Sequence, residues 1–147
     1  MTPEPTTFIV PGELISSKNS RNVIPVTSKA TGKIKRIPAK SKVAKEDEAR
    51  LVGLLSSNHN FRVAWSKEIV SRVTSGGWPV VLRFRIYRKS RRRFDYVNIV
   101  QNLLDVMVKA ELLPDDCADY VIPAFEPYQV DKTRPRTEIT IEPVSSG

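Results

Sequence analysis

The chain is expected to fold as one α+β domain, a small mixed β-sheet packed against helices. Three observations predict this. At 147 residues the chain is long enough for one core and short for two. Pro79 to Arg88 (PVVLRFRIYR) alternates strictly between two sides, and Tyr96 to Leu112 repeats its apolar residues at helical period.

The elements follow in order. Thr7 to Val10 (TFIV) reads as a short strand closed by Pro11-Gly12. Between Glu13 and Glu46 stand nine Lys/Arg residues and no acidic one: Lys18, Arg21, Lys29, Lys33, Lys35, Arg36, Lys40, Lys42 and Lys45. Within this basic segment, around residues 14–45, NVIPV and KIKRIPA flank TSKATG, which fits a hairpin or an open loop. A solvated loop and a DNA-contacting arm satisfy that composition equally.

Lys42 to Arg72 is mostly helical in pattern, with Ser41 as N-cap and Glu46, Asp47 and Glu48 in the early turns. SSNHN (Ser56 to Asn60) interrupts it, giving two helices or a helix and a loop, and Gly76-Gly77 stops the second half. In the strand that follows, Val80, Leu82, Phe84 and Ile86 form one side. Val81, Arg83, Arg85 and Tyr87 form the other, an outer face expected to be basic.

In the helix expected from Tyr96 to Leu112, Asp95, Asn98, Gln101, Asn102 and Asp105 fall within one arc of roughly 120°. Ile99, Val100, Leu103, Leu104, Val106, Met107 and Val108 fill the rest. So wide an apolar arc exceeds what one small sheet covers, which predicts a sandwiched helix, with a second subunit as one candidate cover. Tyr120 to Ile122 and Thr137 to Ile141 (TEITI) are the candidate final strands, and no internal repeat occurs.

Composition narrows the partners. Forty per cent apolar and 27% charged residues suit an ordinary soluble domain, but the formal net charge is +8. That excess favours a polyanion, nucleic acid before membrane, because no long apolar run or amphipathic anchor is present. MTPEPTTFIV lacks the cationic start of a signal peptide, and a lone Cys117 cannot close an intrachain disulfide. Both point to a cytoplasmic setting. One histidine and one cysteine do not make a zinc site, so any metal would take oxygen ligands.

The chemistry concentrates between Arg91 and Asp116 (RRRFDYVNIVQNLLDVMVKAELLPDD). Clustered cations can hold a phosphate backbone, and carboxylates beside them can hold a hard divalent ion, the pairing a nuclease needs. The candidate cations are Arg91, Arg92 and Arg93, with Arg88 and Lys89 before them. The candidate carboxylates are Asp95, Asp105, Asp115, Asp116 and Asp119. Each has a plainer reading. Asp95 also fits a helix N-cap, Pro114-Asp115-Asp116 a turn, Asp119 a solvated side chain, and Asp105 a partner of Lys109 at i+4. Trp65 and Trp78 fit the core better than base stacking. His59 is isolated; it has the chemistry of a general base, but no neighbour in sequence supports that role.

The same stretch resembles the core of the RusA-type crossover-junction endonucleases of bacteria, prophages and phages. Members carry an arginine-rich loop, then Asp-x-Asp-Asn entering a helix, a mid-helix Leu/Phe-Asp-x-Leu/Met, and an Asp-Asp pair after it. Here RRRFDYVN, LLDVM and PDD stand at matching spacing. Asp95 matches the first aspartate, Asn98 the asparagine, Asp105 the mid-helix aspartate, and Asp115-Asp116 the final pair. TFIVPG followed by SSKNSR is similar, more loosely, to the family's first strand and Ser/Asn-rich loop, which brings in Lys18 and Arg21. The resemblance implies Mg²⁺-dependent resolution of four-way (Holliday) junctions by an intertwined homodimer, with Mn²⁺ as a substitute ion. It implies that Asp95, Asp115 and Asp116 bind metal and catalyse, and that Asn98 and Asp105 support the motif. Arg91, Arg92, Arg93, Lys89, Lys18 and Arg21 would contact DNA.

Two positions depart from the pattern. Val97 stands where the second motif aspartate belongs, and Gln101 where a functional lysine often stands. Losing one carboxylate removes a charge and a ligand from a hard-cation site. A relative that grips junctions without cutting is therefore one rival reading, and a generic basic nucleic-acid-binding protein is another. A helix from Tyr96 to Leu112 would span ~25 Å, which sets Asp95 and Asp116 at opposite ends. Unless the chain doubles back, the expectation is a composite site, Asp95 of one subunit meeting Asp116 of the other across a two-fold axis.

Overall fold

The computed structural model of the protein describes residues 6–15, 21–27, 32, 34–40 and 42–144, with backbone alone in 21–27 and 34–40. Lys18 and Ser41 lie outside the described residues. The elements run β1 (Thr7–Pro11), β2 (Arg21–Thr27), β3 (Ile34–Lys40), α1 (Lys42–Ser57), α2 (His59–Gly76), β4 (Val80–Arg88), α3 (Tyr96–Lys109), β5 (Val121–Phe125), β6 (Gln129–Val130) and β7 (Arg136–Pro143). The architecture is α+β, as the alternation and helical period predict.

Five strands make one mixed sheet, in the order β1-β7-β4-β5, with the short β6 also on β4. β1 and β4 flank β7 antiparallel, while β5 and β6 run parallel to β4. A parallel neighbour needs a crossover, and α3 supplies it between β4 and β5. NVIPV and KIKRIPA do form a hairpin: β2 and β3 pair antiparallel, Arg21 opposite Lys40 and Thr27 opposite Ile34.

The helical stretch breaks at Asn58, inside SSNHN. Its side-chain oxygen accepts from the Phe61 amide at 3.1 Å and caps α2. α2 then presents Phe61, Trp65, Ile69 and Val73, spaced every four residues, to the core. Trp65 is buried, packs edge-on to Phe8 at 5.0 Å, and donates its indole N–H to the Leu112 carbonyl at 2.8 Å. That bond satisfies the indole inside the core. Trp78, half-buried, packs edge-on to Tyr120 at 5.2 Å.

β4 buries Val80, Leu82, Phe84 and Ile86, as the alternation requires. Its other side is not the basic face expected. Arg83 pairs with Glu142 on β7 at 3.2 Å and Arg85 with Glu126 at 2.8 Å. Glu142 holds the Arg83 guanidinium above its usual pKa by hydrogen bond and charge. The acids come from segments distant in sequence, so local reading of β4 registers only the arginines.

α3 is shorter than its apolar run. It ends at Lys109 because Glu111 takes a left-handed conformation, φ 63°. The Leu112 amide reaches back to the Met107 carbonyl at 2.9 Å and the Glu111 amide to Val108 at 3.0 Å, a two-bond closure that reverses the chain. The apolar arc is sandwiched as expected, but from within one chain. Ile99, Val100, Leu103, Leu104, Val106 and Met107 are all buried in the core they share with the sheet, and α1 packs on α3. No second subunit is needed to cover them. Among the described residues no helix is long and apolar enough to cross a membrane.

Candidate functional site

The polar arc of α3 carries the acidic motif, and each position acquires a partner. Asp95 sits at the N-cap with extended backbone (φ −111°, ψ 130°), but its carboxylate makes no capping bond. It accepts instead from the Asn98 side-chain amide at 3.0 Å. Asp95 is exposed, open to a ligand from solvent.

Two turns further on, the Gln101 side-chain nitrogen donates to Asp105 at 3.3 Å and to Asp116 at 2.9 Å. The left-handed turn at Glu111 sends the loop 112–120 back along α3 and so brings Asp116 to Gln101. Asp95 and Asp116 are therefore not at opposite ends of a helix. From Asp95 to Gln101 the axial rise is only ~9 Å. The premise of the composite-site expectation fails, because the chain doubles back within one subunit.

Asp115 stays exposed, and its carboxylate accepts from the Asp116 amide at 2.7 Å, shaping the turn. Lys109 pairs with Glu48 of α1. Asp119 is exposed. His59 lines a different feature, an open groove of about 870 Å³ shared with Trp65, Trp78, Leu113 and Pro114; none of Asp95, Asp105 and Asp116 lines it.

The cations divide. Arg91, Arg92 and Arg93 are exposed on the loop entering α3, and Lys89 is exposed before them. Arg88 is buried and structural. It donates to the Leu14 carbonyl at 2.8 Å, faces Glu13 at 3.7 Å, and lies over the Phe94 ring at 4.5 Å. Arg21 belongs to β2, and its side chain is outside the described residues. Glu13, which sequence reading passed over, accepts from the Lys89 amide at 2.8 Å, and Asn102 donates to the Ile15 carbonyl at 2.7 Å. These bonds tie residues 13–15 to both the arginine loop and α3. An acid just after a Pro-Gly turn was the available signal.

The fit to a divalent ion can be read from Gln101. Two carboxylates converge on one amide nitrogen. Mg²⁺ uses one or two carboxylates and completes its octahedron with waters and substrate phosphate. Asp105 and Asp116 meet that need, and a rotated Gln101 would offer its carbonyl oxygen as a further hard ligand. A fuller cage is absent: among the described residues no three His, Cys, Asp or Glu side chains group closely enough to hold a metal. Comparison with known proteins found no family model and no curated protein that matches the chain.

Proposed function

We propose that the protein is a Mg²⁺-dependent endonuclease acting on branched DNA, with four-way junctions as its substrate. One observation carries the reading. Asp116, from the loop, and Asp105, from α3, meet at Gln101 on a polar face entered through an exposed arginine loop.

In this reading Asp105 and Asp116 hold the metal, and Mn²⁺ can replace it. When bound, the ion neutralises phosphate charge and makes water more acidic. Arg91, Arg92 and Arg93 grip the phosphate backbone and set its register against α3. Asp95, oriented by Asn98, presents a carboxylate to a phosphate held at the start of the helix. In this reading it orients the attacking water and takes its proton, and the oxygen that leaves phosphorus is protonated from solvent. Asp115 shapes the turn that delivers Asp116. A junction needs two symmetric cuts, and a homodimer supplies two such sites.

The second reading is a junction-binding protein that does not cut. Val97 favours it: the side chain is 69% exposed, where a carboxylate would be free to bind metal. The absence of a three-carboxylate group among the described residues favours it too.

The test is cleavage of a labelled four-way junction with Mg²⁺ or Mn²⁺, run beside Asp95→Asn, Asp105→Asn and Asp116→Asn. Symmetric nicking by the native chain, lost in Asp95→Asn, Asp105→Asn and Asp116→Asn, is the expected result. Tight junction binding with no nicking in either metal selects the second reading. Equal affinity for a junction and a linear duplex would leave only a generic basic binder.

A further inference from the structure

The segment Asp131–Pro135, which carries no sequence motif, leaves the sheet at the same corner as the arginine loop. The Asp131 amide donates to the Arg88 carbonyl at 2.7 Å, and the Gly12 amide to the Pro135 carbonyl at 3.0 Å. Lys89 follows Arg88 directly, so the two loops start side by side. Lys132 and Arg134 are exposed, as are Lys89, Arg91, Arg92 and Arg93. Among the described residues none of these six forms an ion pair with a carboxylate.

The acids of this corner are otherwise engaged. Glu13 faces Arg88 at 3.7 Å, and Arg136 holds both Asp131 and Glu138 at 2.9 Å. Asp131 also accepts from the Thr133 amide at 3.2 Å, the Thr133 hydroxyl at 3.0 Å and the Arg134 amide at 3.1 Å. One carboxylate thereby fixes the loop's backbone, while Arg136 offsets its charge. The loop holds two outward cations on a preorganised turn. The middle of the sheet is the opposite case, since Arg83 and Arg85 are each neutralised by a glutamate.

We infer that Lys132 and Arg134 form a second phosphate-binding element, which continues the arginine loop into one surface for a nucleic-acid backbone. The inference rests on the DNA-binding part of the proposed function. A turn whose backbone Asp131 already fixes need not be ordered on binding, and each phosphate its cations neutralise releases condensed counterions. Their mark is therefore the salt dependence of affinity, not base specificity.

The experiment measures the dissociation constant for a labelled four-way junction across a KCl series, without divalent metal. Removing one cation that neutralises a phosphate lowers the slope of log K against log salt by about 0.9. Lys132→Ala/Arg134→Ala should lower it by about 1.8 for each subunit bound and weaken binding by about tenfold or more at moderate salt. Arg83→Ala/Arg85→Ala should keep the native slope. Unchanged melting temperatures establish that each variant is folded, and Lys132→Glu, a single exposed change, should weaken binding further than Lys132→Ala. A native slope in Lys132→Ala/Arg134→Ala, alongside a reduced one in Arg91→Ala/Arg92→Ala/Arg93→Ala, would overturn the inference and leave the proposed function standing. A native chain that binds no DNA at low salt would overturn both.

Discussion

The side-chain amide of Gln101 donates to the carboxylate of Asp116 at 2.9 Å, although the two residues are fifteen apart in sequence. The same nitrogen reaches Asp105, so a single neutral donor holds together two carboxylates that would otherwise repel each other. The donor fills the gap between the two carboxylates on the exposed face of α3, and its chemistry can be altered without touching the core.

Gln101→Glu would place three carboxylates around that gap. Loss of the donor and the new repulsion should lower stability by about 1–2 kcal/mol in a chelator. Added Mg²⁺ should restore most of the loss, whereas Gln101→Ala should lose about 1 kcal/mol and respond less to the ion. Thermal melts with and without Mg²⁺ measure this. An identical deficit in both conditions would show that Asp105 and Asp116 do not converge on a cation-sized space.

Val97 stands one turn before Gln101 on the same face, and its side chain is 69% exposed. A carboxylate there needs no burial, and at a helix N-terminus it adds about 0.3–1 kcal/mol. Val97→Asp should keep or raise the melting temperature while increasing Mg²⁺-dependent junction cleavage by about tenfold or more, some 1.4 kcal/mol in the barrier. An unchanged cleavage rate in a folded variant would remove position 97 from the metal site.

Glu111 carries the left-handed turn that returns the chain to Gln101, at φ 63°. A side chain in that conformation costs about 1 kcal/mol that glycine avoids. Glu111→Gly is expected to raise the urea midpoint, with an unchanged m-value, by an amount equivalent to about 1 kcal/mol. A lower midpoint would mean that contacts of the Glu111 side chain outweigh the conformational cost.

The Asp131 carboxyl is held below the usual range, first by the Arg134 amide, then by the Thr133 hydroxyl and the Arg136 guanidinium. A depressed folded pKa means the loop's stabilisation is complete above the ordinary aspartate value, about 3.9, and is lost as pH falls through the lower folded value. The protection of the Thr133 and Arg134 amides, relative to their intrinsic exchange at each pH, should hold down to about pH 4 and fall below it. In Asp131→Asn that acid transition should vanish. Protection already absent at neutral pH would show that the carboxylate does not hold the turn.

Much of the fold was legible in the residues because its signals are local. Alternation in VVLRFRIYR, the helical period after Tyr96 and the Asn58 break each act within a few residues, and each of these elements forms, although α3 stops at Lys109, short of the expected Leu112. The candidate acids and exposed arginines were legible for the same reason, since their types and spacing stand in one stretch of 26 residues from Arg91 to Asp116. Only the tertiary structure decided which charges meet. Glu142 and Glu126 neutralise the arginines of β4, Glu13 engages Arg88, and one left-handed residue delivers Asp116 to Gln101. Hydrophobic period depends on near neighbours along the chain. Charge pairing depends on what folding brings within about 4 Å, and no local pattern records that distance.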